Sequence, residues 1–147
     1  MSSLKELASE MNALPDKIRA ERVFILTEKD TLTALNLQQN DVRKSEMRDI
    51  GASLTDDLKP KFKTVDLREA ELNHRVKDNS EYQERKERIR LIQGSVDRAK
   101  IDIELNENRM SAIRNIIRLV AVSVPYNMSL EAFVIPEHVE PETEEKE

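Results

Sequence analysis

The chain has 147 residues, of which 36% are charged and 3% aromatic, with two glycines and neither tryptophan nor cysteine. One ordinary domain fits that length, so few aromatic rings do not fit a thick, many-layered core, and the lack of cysteine excludes a disulfide framework, thiol catalysis and thiolate metal sites. The net charge of −5 belongs to the end of the chain, because from Glu131 onward there are seven acids and one base, leaving 22 acids and 23 bases over the first 130 residues.

Leu, Ile and Val recur regularly through most of this charged chain, which points to long helices with solvated outer faces rather than to disorder. In the first third, Leu4, Leu7, Met11, Leu14, Ile18, Ile25, Leu32, Leu35 and Val42 fall on one stripe of alternating three- and four-residue steps, interrupted by Glu21, Glu28 and Gln39. Pro15 lies inside the run. Because proline suits a first helical turn and Asp16 suits the positive end of the dipole, the pattern predicts a short helix over 3–13 and a new one starting at Pro15. Near Arg43 the register drifts to Met47, Ile50, Leu54 and Leu58, a stutter-like change of supercoil phase. The second helix is expected to fray at Gly51 or stop by Leu58, ahead of Pro60.

A basic connector follows, with Lys59, Lys61 and Lys63 around Pro60 and Phe62. A shorter helix is expected over 65–77, with Leu67, Leu72 and Val76 facing inward. Asp78, Asn79 and Ser80 then punctuate the chain, and Ser80 with Gln83, or Asp78 with Glu81, has capping-box spacing for the next helix.

The strongest signal lies beyond. Ile89, Ile92, Val96, Ala99, Ile103, Asn106, Met110, Ile113, Ile117 and Val120 form a 3.5-residue repeat over more than four heptads, with nine of ten positions apolar. That is a coiled-coil seam. The helix is expected to end before Pro125, and about 40 residues give a rod of roughly 60 Å. Leu91, Leu105 and Leu119, with Ile101 and Ile116, fall outside the seam and argue for three-helix packing or self-association. Residues 124–134 fit either a short strand or an extended segment packed on the rods. Residues 136–147, rich in Glu, read as a disordered acidic tail, leaving one helical domain over 1–135. Three readings of the tail stand: a solubilising end, a mask for the basic connector, or a peptide for a basic groove elsewhere. The fold expected is all-α: a long antiparallel coiled-coil hairpin with shorter accessory helices.

Chemistry-bearing constellations are sparse. His74 and His138 are the two histidines, and Glu71 with His74 shows the Glu-x-x-His spacing of helical metal sites once, whereas a bundle site needs inward-facing copies on two helices. Gly51 and Gly94 lie singly, so no glycine-rich phosphate loop exists. The expectation is a protein that is not an enzyme and needs no cofactor or metal. Asn106, the one polar residue of the long seam, either fixes register and oligomer state or marks a place open to water; Glu21 and Glu28 mark exposure or a basic partner. Lys59, Lys61, Phe62, Lys63, Arg85, Lys86, Arg88 and Arg90 are the candidate nucleic-acid or interaction surface. Such lysines can track a phosphate backbone while Phe62 stacks on a base; equally, this is a solvated tip with Phe62 packed on the helices.

The 1–10 segment, with Lys5, Glu6 and Glu10, is too polar for the apolar core of a signal peptide. The longest apolar stretch, 119–124, is far short of the roughly 20 residues of a membrane span. A soluble, cytoplasmic protein without membrane partners is expected, in keeping with its lack of cysteine.

Leu67, Arg68, Glu69, Ala70 and Glu71, running on to Asp78, Asn79, Ser80, Glu81 and Tyr82 and into the long helix, resemble small helical-hairpin proteins of bacteriophage and prophage genomes, over about half the chain. Some of those proteins sit near recombination and single-strand-binding functions. The resemblance implies a role in DNA metabolism, such as recombination or evasion of a host nuclease, and transfers no functional residue. The expectation is an accessory or adaptor protein that self-associates through its helices and binds a protein partner. Direct nucleic-acid binding through the connector and a purely structural spacer are the alternatives.

Overall fold

The structure, a computed structural model, describes residues 2–123. Three helices make it up: α1 (Leu4–Ala52), α2 (Val65–Asp78) and α3 (Ser80–Ser123). Among the described residues β structure is limited to an isolated bridge between Leu54 and Pro60. The segment 124–134 and the acidic tail 136–147 lie outside the described residues.

Helix α1 starts with a reciprocal capping box. The Ser3 amide donates to Glu6 Oε2 at 2.7 Å, and the Glu6 amide donates to Ser3 Oγ at 3.2 Å, which satisfies two of the donors a helix start leaves unpaired. The helix does not break at Pro15, which sits inside it, contrary to the sequence expectation of two helices. A mid-helix proline removes one hydrogen bond and crowds the carbonyl four residues back, at a cost of about 3 kcal/mol. Leu14 and Ile18 flank it and are 3% and 5% exposed; burying two such side chains contributes about as much or more, and both need the helix to run through. Further on, the exposed hydroxyls of Thr27, Thr31 and Thr33 donate to the carbonyls of Val23, Thr27 and Lys29, so β-branched polar residues sit mid-helix without an unpaired group.

The register drift appears as burial at Gln39 and Ile50, with Val42, Arg43, Glu46 and Met47 half-buried between them. Leu54 and Leu58, expected to continue that stripe, are exposed at 53% and 79%, because α1 ends at Ala52. Helix α2 is capped by Thr64, whose side chain accepts from the Leu67 amide at 3.3 Å. Leu72 and Val76 are buried as expected, while Leu67 is exposed. One turn before Leu72 the inward position belongs to Arg68, whose Nε donates to the Phe62 carbonyl at 3.1 Å. The cap of α3 is Asn79, rather than Ser80 or Asp78: its Oδ1 accepts from the Tyr82 amide at 3.0 Å. Its own amide donates to the Val76 carbonyl at 3.4 Å, ending α2. One residue thus closes one helix and opens the next.

The chain forms two compact units, one that includes residues 2–19 and 103–123 and one that holds Ala20–Asp102. Both boundaries fall inside helices, so no turn residue or composition change marks them. In the first unit Leu7, Leu14 and Ile113 form the core, with Met11, Met110, Ile116 and Ile117 packed on it. Ile116, expected outside the seam, therefore belongs to it. In the second unit Ile50, Leu72 and Val76 form a cluster covered by Met47, Phe62 and Tyr82, and Ile25, Leu35, Val96 and Ala99 are buried as well.

Candidate functional site

The connector between α1 and α2 is a tight, hydrogen-bonded loop rather than an extended strand of lysines. The Thr55 amide donates to the Lys59 carbonyl at 2.8 Å, the Leu58 amide to the Thr55 carbonyl at 2.9 Å and the Lys61 amide to the Ser53 carbonyl at 3.0 Å. Leu58 takes the left-handed conformation, with φ 61°, strained for a residue with a Cβ. The loop also carries Asp56 and Asp57, which oppose the field of the neighbouring lysines.

Lys59, Lys61 and Lys63 are exposed. Phe62 is half-buried in the cluster of Ile50, Leu72 and Val76, and Lys61 Nζ stands 5.6 Å from its ring centroid. Of the two readings the sequence left open for Phe62, the structure has the ring packed on the helices, with a cation over its face. Arg85 is also structural: its Nε donates to Gln39 Oε1 at 2.9 Å, and its guanidinium lies 3.7 Å from Glu81. Arg90 grips Glu87 through two bonds of 2.6 and 2.9 Å, and that contact holds the Glu87 carboxyl below its ordinary range. Lys86 and Arg88 are exposed. The geometry therefore divides the eight candidates into six exposed cations, of which Arg90 is paired with Glu87 on its own helix, and two residues, Phe62 and Arg85, engaged in packing.

The register residues behave differently. Val96 and Ile113 are buried, and Ile89, Ile92, Ile103, Met110 and Ile117 are half-buried, so the whole stripe faces inward. Asn106 is half-buried too. The buried amide of the helical packing is Gln39, 7% exposed. Its Nε2 donates to the Tyr82 carbonyl at 3.0 Å while its Oε1 accepts from Arg85. Because one partner only accepts and the other only donates, both the amide's orientation and the local register of α1 on α3 are specified. Its signal in the sequence was the interruption it makes in the first apolar stripe.

Two ion pairs outside the candidate set also tie helices together. In the first unit Arg109 grips Glu10 through bonds of 2.6 and 3.0 Å, and this hydrogen bonding lowers the Glu10 carboxyl pKa and raises that of Arg109. A depressed carboxyl contributes stability that is present above its unfolded value, near 4.5, and is lost as pH falls through the folded value. Glu10→Gln is therefore expected to lower stability by about 0.5–1 kcal/mol at pH 7, since both side chains remain partly exposed. The difference from wild type should shrink below pH 4.5, as read in urea melts across pH; a gap independent of pH would reject the ionic origin.

In the second unit Arg75 lies 2.8 Å from Glu71 and 3.2 Å from Glu46, and hydrogen bonding to both raises its pKa, first through Glu71. These residues line a shallow groove with His74, Asp78 and Asn79, in which His74 Nδ1 is 3.2 Å from Asp78. Glu71, the acid of the Glu-x-x-His pair, is thus committed to Arg75. Among the described residues no group of three His, Asp or Glu side chains could hold a metal ion, and no helix is long and apolar enough to cross a membrane. No family model, curated protein or solved structure matches this chain.

Proposed function

We propose that this chain is a non-enzymatic accessory or adaptor protein, built as a long antiparallel coiled-coil hairpin, that self-associates through its helices and binds a protein partner. One observation carries the reading. The helices satisfy an inward apolar seam and still leave large apolar side chains in solvent. On α1 these are Val23, Leu26 and Leu37, exposed at 56%, 64% and 59%, and α3 adds Leu91, Ile101 and Leu119. Apolar side chains at helical spacing opposite a complete seam are the mark of helices that meet other helices. Support for the hairpin comes from the pairings inside each unit, Glu10 with Arg109 and Gln39 with Arg85, which match the start of α1 to the end of α3 and later turns of α1 to the start of α3.

The resemblance to phage helical-hairpin proteins is the support for reading this work as part of DNA recombination or evasion of a host nuclease. Affinity capture with the full chain and with Val23→Glu/Leu26→Glu tests it. A specific protein retained by the first and lost by the second is the expected result; the absence of any macromolecular partner, with turnover of a small molecule by the purified chain, would sink it. Direct nucleic-acid binding rests on six exposed cations, with Phe62 half-buried against the helices. It would show itself as single-strand affinity that falls steeply with salt.

A further inference from the structure

The loop between α1 and α2 lies wholly in the unit Ala20–Asp102, and its tip is a tight hairpin turn. The Leu58 amide closes the turn on the Thr55 carbonyl at 2.9 Å, and the Thr55 amide donates to the Lys59 carbonyl at 2.8 Å. The Thr55 hydroxyl braces the same pair, accepting from the Lys59 amide at 3.3 Å. In turns of this kind the last loop residue is left-handed, a place that glycine fills without strain. Here it is Leu58, with φ 61°. Its side chain is 79% exposed, the most of any large hydrophobic among the described residues. A strained backbone position that carries an outward leucine points to a contact outside the chain. Leu54, Val65 and Leu67, in the same stretch, are exposed at 53%, 68% and 51%.

We propose that this tip docks on the same tip of a second copy, about a two-fold axis that sets Leu58 against Leu58. The inference rests on the reading that the chain self-associates, and adds a contact outside the helices. Charge selects the occupant. Asp56 and Asp57 precede Leu58, while Lys59, Lys61 and Lys63 follow it. All five are exposed, and none has an ion-pair partner among the described residues. A two-fold axis at Leu58 runs the two turns in opposite directions, so the acids of each copy face the lysines of the other, twice over. An anionic membrane would instead meet two carboxylates beside the leucine it receives, and an acidic groove on another protein would meet the same repulsion. A second copy answers both signs of charge. The patch is small, below the roughly 1,000 Å² of a stable interface, so the contact is a transient one.

Sedimentation velocity on the full chain is expected to show a mean mass that climbs from 17.0 kDa toward twice that value as concentration rises. Leu58→Gly removes the side chain and relieves the backbone. It should leave helicity and the urea midpoint undiminished while raising the dissociation constant at least about tenfold. Charge reversal tests the pairing itself. Asp56→Lys/Asp57→Lys and Lys59→Asp/Lys61→Asp should each stay monomeric alone, through like-charge repulsion across the axis, and should associate with one another when mixed. A Leu58→Gly chain, or reversed variants, that self-associate as tightly as the natural chain would overturn the tip contact while leaving self-association standing. A natural chain that is monomeric at every concentration would remove both. Its co-sedimentation with phosphatidylglycerol vesicles, lost in Leu58→Gly, would then assign the tip to an anionic membrane instead.

Discussion

Replacing Ile113 with Ala is expected to destabilise the chain by about 3–4 kcal/mol. Ile113 is fully buried, at 0% exposure, between Leu7 and Leu14 of α1, with Met110, Ile116 and Ile117 beside it on α3. Removing three carbons there forfeits their transfer from water and leaves a cavity. Its walls belong to two helices whose backbones are held by the Glu10–Arg109 clamp, so collapse around the void is restricted. Leu26→Ala is the matched comparison: its side chain is 64% exposed, and a loss within about 0.5 kcal/mol is expected. Urea titration followed by circular dichroism measures both, with the midpoint falling for Ile113→Ala. Equal losses at the two positions would mean that the inward seam of α3 has been assigned to the wrong face.

The helices were legible because their signal is periodic and redundant. Ten positions from Ile89 to Val120 vote for one face, and none of them is exposed in the structure. The seam survives one dissenting residue such as Asn106 for the same reason. Features decided by one residue were less legible. Pro15 looks like a helix start in isolation, yet the burial of Leu14 and Ile18 on either side outweighs its local preference. Asp78, Asn79 and Ser80 are all competent caps, and spacing alone favoured the outer two; Asn79 wins because its backbone also terminates α2. The candidate surface was read from charge, and charge does not say where a side chain ends up. Arg85 and Lys86 are neighbours in sequence, but one packs against Gln39 and the other projects into water, a difference set by 100° of helix turn. Gln39 shows the converse. As a break in an apolar stripe it resembles a defect, and only the tertiary pairing with Tyr82 and Arg85 makes it a register device.

Pro15→Ala is expected to stabilise the protein by about 1–2 kcal/mol, which is unusual for a single exposed substitution. Alanine restores the amide that can donate to the Met11 carbonyl and removes the pyrrolidine ring from that carbonyl's path, an advantage of about 3 kcal/mol in a helix interior. Part of it is offset because proline also restricts the unfolded chain, by about 0.4–1 kcal/mol. The side chain itself contributes little, since Pro15 is exposed. The gain should appear as a higher urea midpoint with an unchanged slope, because the surface exposed on unfolding stays the same. It should be non-additive with changes at Leu14 or Ile18, which touch the same turn. A fall in stability would show that α1 uses the proline, as a bend or as the start of a separate helix. The continuous packing of Leu7, Leu14 and Ile113 into one core would then require a different path for the first turns of the chain.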